Sequence, residues 1–189
     1  MDENQELQNK SAAQPEGKDA EVLDWLQCIV SAVIIVFLFF TFIAHQFLVI
    51  GSSMVPTLED GDRLIVSNLF FTPKYGDIVV LRKEQFREDP IVKRIIATEG
   101  QTVDIDFVEG IVYVDGNALD EPYVNELVHE PEDFTEPVTV PEGCVFVMGD
   151  NRNRSTDSRY ADIGCVDTRL ILGKAILRLS PISKFGGLY

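Results

Sequence analysis

The sequence is poor in the residues that most often carry catalytic or metal chemistry. In 189 residues it has two histidines, His45 and His129, and three cysteines, Cys28, Cys144 and Cys165. No cysteines form a CxxC pair and none stands at ligand spacing from a histidine, which argues against a zinc centre. No metal or other cofactor is expected. His45 ends an apolar run and His129 lies in an acidic stretch, poor raw material for a Ser-His-Asp triad. Positive charge is scarce too: 16 Lys and Arg stand against 31 Asp and Glu, a formal net charge of -15. An acidic surface of this kind repels phosphate backbones, so nucleic acid is not a partner. No internal repeat is present.

The acid is not confined to one end. Residues 1–24 hold seven acids and two lysines, leaving 24 acids against 14 bases in the remainder. The opening stretch is polar and aperiodic and is expected to be a disordered tail through residue 24. Residues 25–47, WLQCIVSAVIIVFLFFTFIAHQF, carry no formal charge. As a helix this run spans roughly 35 Å at 1.5 Å per residue, enough for a bilayer core of about 30 Å. Trp25 suits one interface. A cleaved leader fits poorly, because the preceding region is acidic, the run is long, and IAH lacks small residues at both ends. A permanent anchor is therefore expected over 25–47. Lys10 and Lys18 before it against Arg63 after it give a small bias toward a tail on the inside.

From residue 48 to 189 the texture becomes that of a β domain. Short β-branched and aromatic runs (RLIVSNLF, DIVVLR, PIVKRIIAT, TVDIDFVEGIVYVDG, CVFVMGD, KAILRLS) alternate with turn signals such as EDGD, TEGQ and PEG. Asp-Gly inside IVYVDGNAL predicts a hairpin. Residues 120–140, acidic and proline-containing, predict a long exposed loop.

Three segments stand out for chemistry. In VIGSSMVPTLEDGD, Ser53 lies in a constrained turn, with Gly51 free to take unusual backbone angles and Pro56 stiffening the exit. A serine hydroxyl needs a base. An S-x-x-K lysine is excluded because Pro56 occupies that position. Lys93 and Arg94 interrupt the apolar run EDPIVKRIIATEG, where adjacent strand side chains point to opposite faces. A lysine set in apolar surroundings loses the hydration that favours its charged form, which suits a general base. The third segment, MGDNRNRSTDSR, is dense in hydrogen-bonding groups. Asp150, Arg152, Asp157 and Arg159 can build a network that fixes this loop against the Lys93 strand, and Ser155 can orient a lysine amine. Asn153 forms a glycosylation sequon, but in so polar a segment a structural role suits it better.

Taken together, GSSMVPTL, IVKRIIATEGQTV and GDNRNRSTDSR resemble the three ordered boxes of bacterial type I signal peptidases. The resemblance runs from the anchor to LGKAILRLSP and is closest to the short Gram-positive-like form with one anchor. It implies a mainly β fold: a partly open antiparallel β-barrel-like catalytic domain behind a single N-terminal transmembrane helix. It implies Ser53 as nucleophile and Lys93 as base, with Ser155, Asp157, Arg159 and Arg94 in support. A serine found two positions before the nucleophile in some members is replaced here by Gly51, so backbone groups of Gly51, Ser52 and Ser53 would serve the oxyanion. Val49, Ile50, Met54, Leu58 and Val92 are expected to line shallow pockets for small substrate side chains. Cys144 and Cys165 would sit in core strands as free thiols. The implied partners are signal peptides of exported preproteins, the lipid bilayer and the protein-export machinery. The implied location is the bacterial cytoplasmic membrane, catalytic domain outside. Two other readings stay open at this point: a self-cleaving Ser-Lys protein of the repressor-cleavage type, and a membrane-anchored β domain that binds peptides without cutting them.

Overall fold

A computed structural model describes residues 18–42, 45–82 and 89–188. Two compact units make up the chain, Met1–Phe42 and Ile43–Tyr189. In the first, helix α1 (Lys18–Phe42) is a single run of 25 residues. Its window Glu21–Leu38 has a mean hydropathy of 2.0 and no buried residue, so by length and composition it can cross a membrane. The helix bounds differ from the expected 25–47. Its start at Lys18 takes in residues assigned above to the disordered tail, because Glu21 in the first turn suits the positive end of the helix dipole. The rest of that tail lies outside the described residues. The far end is displaced for another reason. His45–Leu48 form strand β1, paired antiparallel with β2 (Arg63–Ser67) in the register Phe47 to Leu64, and Phe47 packs on buried core. Ladder bonds and burial here override hydropathy, which cannot separate the last residues of an apolar helix from a strand.

The second unit is a curled antiparallel half-barrel sheet with a smaller sheet beside it. Strands β3 (Ile78–Leu81), β4 (Ile91–Thr98), β9 (Cys144–Met148), β10 (Val166–Asp167) and β11 (Ile171–Ser180) extend the first pair in the order β1-β2-β11-β3-β4-β9-β10, and the short β12 (Gly186–Gly187) pairs β11. Strand β3, IVVL, is buried throughout, as befits a strand with neighbours on both edges and packing on both faces. Its residues Ile78 and Val80 join one apolar cluster with Val49, Met54, Leu58 and Leu64, while Val79 and Leu81 join another with Ile95, Val147 and Ile171.

The smaller sheet runs β7 (Asn117–Ala118), β6 (Ile111–Val114), β5 (Thr102–Asp106), β8 (Val138–Thr139). The hairpin expected at Asp115-Gly116 is present, with φ of 51° and 76°, the positive pair a tight right-twisting turn requires. Val103, Val112 and Val114 from this sheet meet Ile96, Phe146 and Met148 from the large one in a third cluster. Cys144 opens β9 as a free thiol, and Cys165 precedes β10; both are partly buried against this cluster.

The acidic stretch 120–140 is not simply an exposed loop. Val128 and Phe134 are buried in the third cluster, and the Phe134 ring meets Phe107 and Phe146 edge-on at 6.0 Å each. Two apolar anchors in a polar run escape a composition reading yet seat the whole strap. Gly110 lets the strap come close: at φ +73°, a Cβ there would stand 2.5 Å from Leu127 Cβ. Gly110→Ala should therefore lower unfolding stability by about 1–3 kcal/mol, measured by denaturant titration. An unchanged midpoint would show that the strap is not seated in this way.

Candidate active site

The turn that carries Ser53 is closed by backbone bonds. Val49 N–H donates to the Asp62 carbonyl at 2.8 Å, and Gly61 N–H to the Val49 carbonyl at 2.9 Å. Met54 and Leu58 plug it into the core, and Leu58 N–H donates to the Met54 carbonyl at 2.9 Å. The apolar residues hold the turn down, so that Ser53 between them is left half-buried at its crest.

Lys93 reaches this crest from the middle of β4. Its Nζ lies 2.7 Å from Ser53 Oγ, and the lysine is only 3% exposed. Arg94, the next residue, diverges. Its Nε and Nη2 grip both oxygens of Asp150 at 2.8 and 2.6 Å, with the guanidinium carbon 3.9 Å from the centre of the Tyr123 ring. Asp150 also accepts from Thr57 Oγ1 at 2.5 Å, which ties the serine turn to the same pair. The Arg94 charge is therefore neutralised in place.

The segment after β9 clamps the serine turn from the other side. Asn151 N–H donates to the Ser53 carbonyl and Asn151 Nδ2 to the Ser52 carbonyl, both at 3.0 Å. The Ser53 N–H shares a trans peptide with the Ser52 carbonyl, so it points away from the Asn151 side chain that holds that carbonyl. Among the described residues neither the Ser52 nor the Ser53 N–H donates to an acceptor. Gly51 is different: its N–H donates to Asp60 Oδ1 at 2.7 Å. Of the three backbone groups expected to serve an oxyanion, Gly51 is thus already engaged, and Ser52 and Ser53 are available.

Asp157 and Arg159 hold the clamp itself. Arg159 Nε and Nη2 meet the two Asp157 oxygens at 2.9 and 3.0 Å, both residues fully buried. Arg159 also donates to the carbonyls of Glu130, Arg152 and Ser155, and Asp157 accepts from Gly149 N–H at 3.0 Å. Arg152 pairs with Glu121 at 2.6 and 2.7 Å rather than with Asp150. Burial works against the Arg152 charge, but the hydrogen bonds and charge of Glu121 outweigh it and hold the guanidinium above its ordinary range. Burial and the Glu121 carboxylate push the Tyr123 phenol up, so it stays neutral beneath Arg94. Asn153 accepts from the N–H groups of His129 and Glu130 and donates to the Leu127 carbonyl, the structural role expected of it.

Ser155 is buried beside Gly149, but its Oγ makes no hydrogen bond among the described residues, so the expected bond to Lys93 is not formed. A cleft of about 250 Å³ opens at Ser53 and Lys93. Val49, Ile50, Met54 and Val92 line it as expected. Leu58 does not; it is fully buried in the core under the turn, packed with Val49, Met54 and Leu64. Pro90, Ile91, Arg154 and Thr156 complete the walls and were not anticipated. Ile91 and Pro90 had a signal, standing beside Lys93 in sequence. Arg154 and Thr156 also had one, because they flank Ser155. Glu121, Tyr123 and Thr57 had none, being joined to the site only through the fold.

The family described as signal peptidase, peptidase S26 matches residues 22–180. The chain belongs to that family. It is accordingly an enzyme, a peptidase, which sets aside the non-catalytic reading, and its membership of a signal-peptidase family sets aside the repressor-like one. A probable signal peptidase I-1 of Synechocystis is 39% identical over 168 residues, covering 83% of this chain and 82% of that one. The signal peptidase I of Bacillus licheniformis is 36% identical, covering 88% and 93% respectively. A solved signal peptidase I from Enterococcus faecalis V583 is 31% identical, with a TM-score of 0.44, covering 55% of this chain and 97% of that one.

Gly149 is a further close contact between the clamp and the Ser53 turn in this S26 peptidase. A Cβ there would collide with the Ser53 carbonyl and stand 2.5 Å from Ser155 Cβ. Gly149→Ala should lower turnover about hundredfold while the domain stays folded, since displacing a reacting group by about 1 Å costs that much. Near-normal turnover with an unchanged circular dichroism spectrum would show that the clamp does not position Ser53.

Proposed function

We propose that this chain removes N-terminal signal peptides from exported preproteins, with Ser53 as nucleophile and a neutral Lys93 as general base. The observation that carries the reading is the 2.7 Å approach of Lys93 Nζ to Ser53 Oγ at a lysine only 3% exposed. Burial disfavours an ammonium ion. A neutral amine at hydrogen-bond distance can accept the serine proton.

Ser53 Oγ attacks the scissile carbonyl as its proton passes to Lys93 Nζ. Negative charge develops on the carbonyl oxygen and is met by the N–H of Ser53, with Ser52 beside it. The tetrahedral intermediate collapses, and the departing amine of the mature protein takes the proton from Lys93. The signal peptide is now an ester on Ser53. Water attacks this ester as its proton passes to Lys93; the bond to Ser53 Oγ then breaks, Ser53 takes that proton back from Lys93, and the signal peptide leaves with a new C-terminal carboxyl group. Asp157, Arg159, Arg94 and Asp150 touch no reacting atom; they hold the two segments that do. Ser155 Oγ, buried and unbonded, is placed beside the clamp where it can take up a lysine that moves during the cycle.

The apolar walls from Val49, Ile50, Met54 and Val92 suit small side chains of an extended peptide. Helix α1 would anchor the peptidase in the cytoplasmic membrane with its N-terminus inside and its catalytic unit outside. Exported preproteins arrive there through the export machinery, their leaders still in the lipid.

Ser53→Ala should abolish cleavage of a preprotein by the detergent-solubilised enzyme, whereas Ser52→Ala should keep most of it. Lys93→Arg keeps the charge but gives up no proton at working pH, so it should be as inactive as Lys93→Ala; Lys174→Arg is the matched control. The wild-type rate should rise with pH as Lys93 loses its proton, with the rising limb below the ordinary lysine value of about 10.4. A Lys93→Arg enzyme with near-normal turnover would rule the mechanism out.

A further inference from the structure

The cleft walls carry a charge that the reaction does not use. We propose that Arg154 is a specificity-determining residue that favours an acidic substrate side chain within a few residues of the scissile bond and disfavours a basic one. This rests on the reading of Ser53 and Lys93 as the cleaving pair.

Local backbone geometry sets Arg154 at the cleft. It ends a short 3₁₀ turn, Arg152–Arg154, and its N–H donates to the Asn151 carbonyl at 3.0 Å. The next residue, Ser155, is extended, with φ -131° and ψ 123°. In extended chain, successive side chains alternate. Ser155 turns inward and is buried, and its neighbours Arg154 and Thr156 line the cleft. Arg154 is exposed, presented from a fixed backbone.

Charge pairing separates Arg154 from the other arginines of its segment. Arg152 is committed to Glu121 and Arg159 to Asp157. Among the described residues Arg154 has no ion pair. The chain has 31 acids, yet none of the described residues lining the cleft is acidic. On the serine turn, Asp60 accepts from Gly51 N–H at 2.7 Å and is not among the lining residues. With Lys93 read as a neutral amine, Arg154 carries the remaining formal charge among the described residues that line the cleft. A guanidinium stays protonated at any working pH and offers donors in a planar fork, and the Thr156 hydroxyl beside it adds another. A peptide carboxylate entering here meets a cation that has no ion-pair partner among the described residues, while a peptide ammonium meets repulsion.

The test uses the full-length enzyme in detergent and peptides that differ at one position, placed in turn within three residues on either side of the cut. Each position carries Asp, Asn or Lys. At one or more positions the wild type should cleave the Asp peptide about tenfold better than the Lys peptide in kcat/KM, as a rim charge attracts one and repels the other. The ratio should shrink in 1 M salt, where the screening length is about 3 Å. Arg154→Gln should bring it near unity and Arg154→Glu should invert it, each enzyme's rates on the Asp and Lys peptides being taken relative to its own rate on the Asn peptide. Equal cleavage of Asp and Lys peptides by the wild type, or a preference that survives in Arg154→Gln, would overturn the inference while leaving the peptidase reading intact. Failure to cleave any peptide or preprotein would overturn that reading, and this inference with it.

Discussion

On the proposed mechanism, a lysine amine must be kept out of water and still within bonding reach of a serine that a peptide can reach. Much of the catalytic unit follows from that constraint. Lys93 occupies an interior strand of the large sheet, between β3 and β9, which is what buries it. Ser53 cannot share that burial, so it rides on a turn whose flanking residues, Met54 and Leu58, are sunk in the core instead. The two groups, 40 positions apart in sequence, then meet at 2.7 Å.

Holding that distance falls to arginine–carboxylate pairs. Arg94 with Asp150 links the lysine strand to the segment after β9, and Thr57 joins the serine turn to the same carboxylate. Arg159 with Asp157 locks the segment internally, and Arg152 with Glu121 fastens the acidic strap to it. Behind the turn, Arg178 on β11 donates to the Thr57 carbonyl and lies 3.4 Å from Asp62. Removing one partner of a buried pair strands the other charge at a cost of about 3–5 kcal/mol, so these pairs resist piecemeal loss. Their worth is positional, since apolar residues could fill the same volume but could not fix the serine and the lysine in register.

Local pattern made much of this legible. The six apolar runs became the long strands, and Asp115-Gly116 made its turn, because alternation and turn chemistry are written in neighbouring residues. Ser53 and Lys93 were recognisable because each breaks a local rule: a serine in a stiffened turn, and a cation inside an apolar strand. The helix end at Phe42 was not legible, since Phe47 is as apolar in a strand as in a helix. Leu58 looked like a pocket residue from its place in the box, and only its full burial in the core cluster of the fold shows that it points inward. The partners of the arginines were also hidden. Asp150 chooses Arg94, and Arg152 chooses Glu121, through a strand register and a strap that no short window contains.

The central claim is that Lys93 is a neutral amine in the folded, resting enzyme. The direct measurement is a pH titration of its side-chain nitrogen by NMR on isotopically labelled lysine, with the signal assigned by its loss in Lys93→Arg. The account predicts that Lys93 titrates well below the ordinary lysine value of about 10.4 and is largely unprotonated at the pH where cleavage is fastest. A Lys93 that remains an ammonium ion throughout the active range would contradict it.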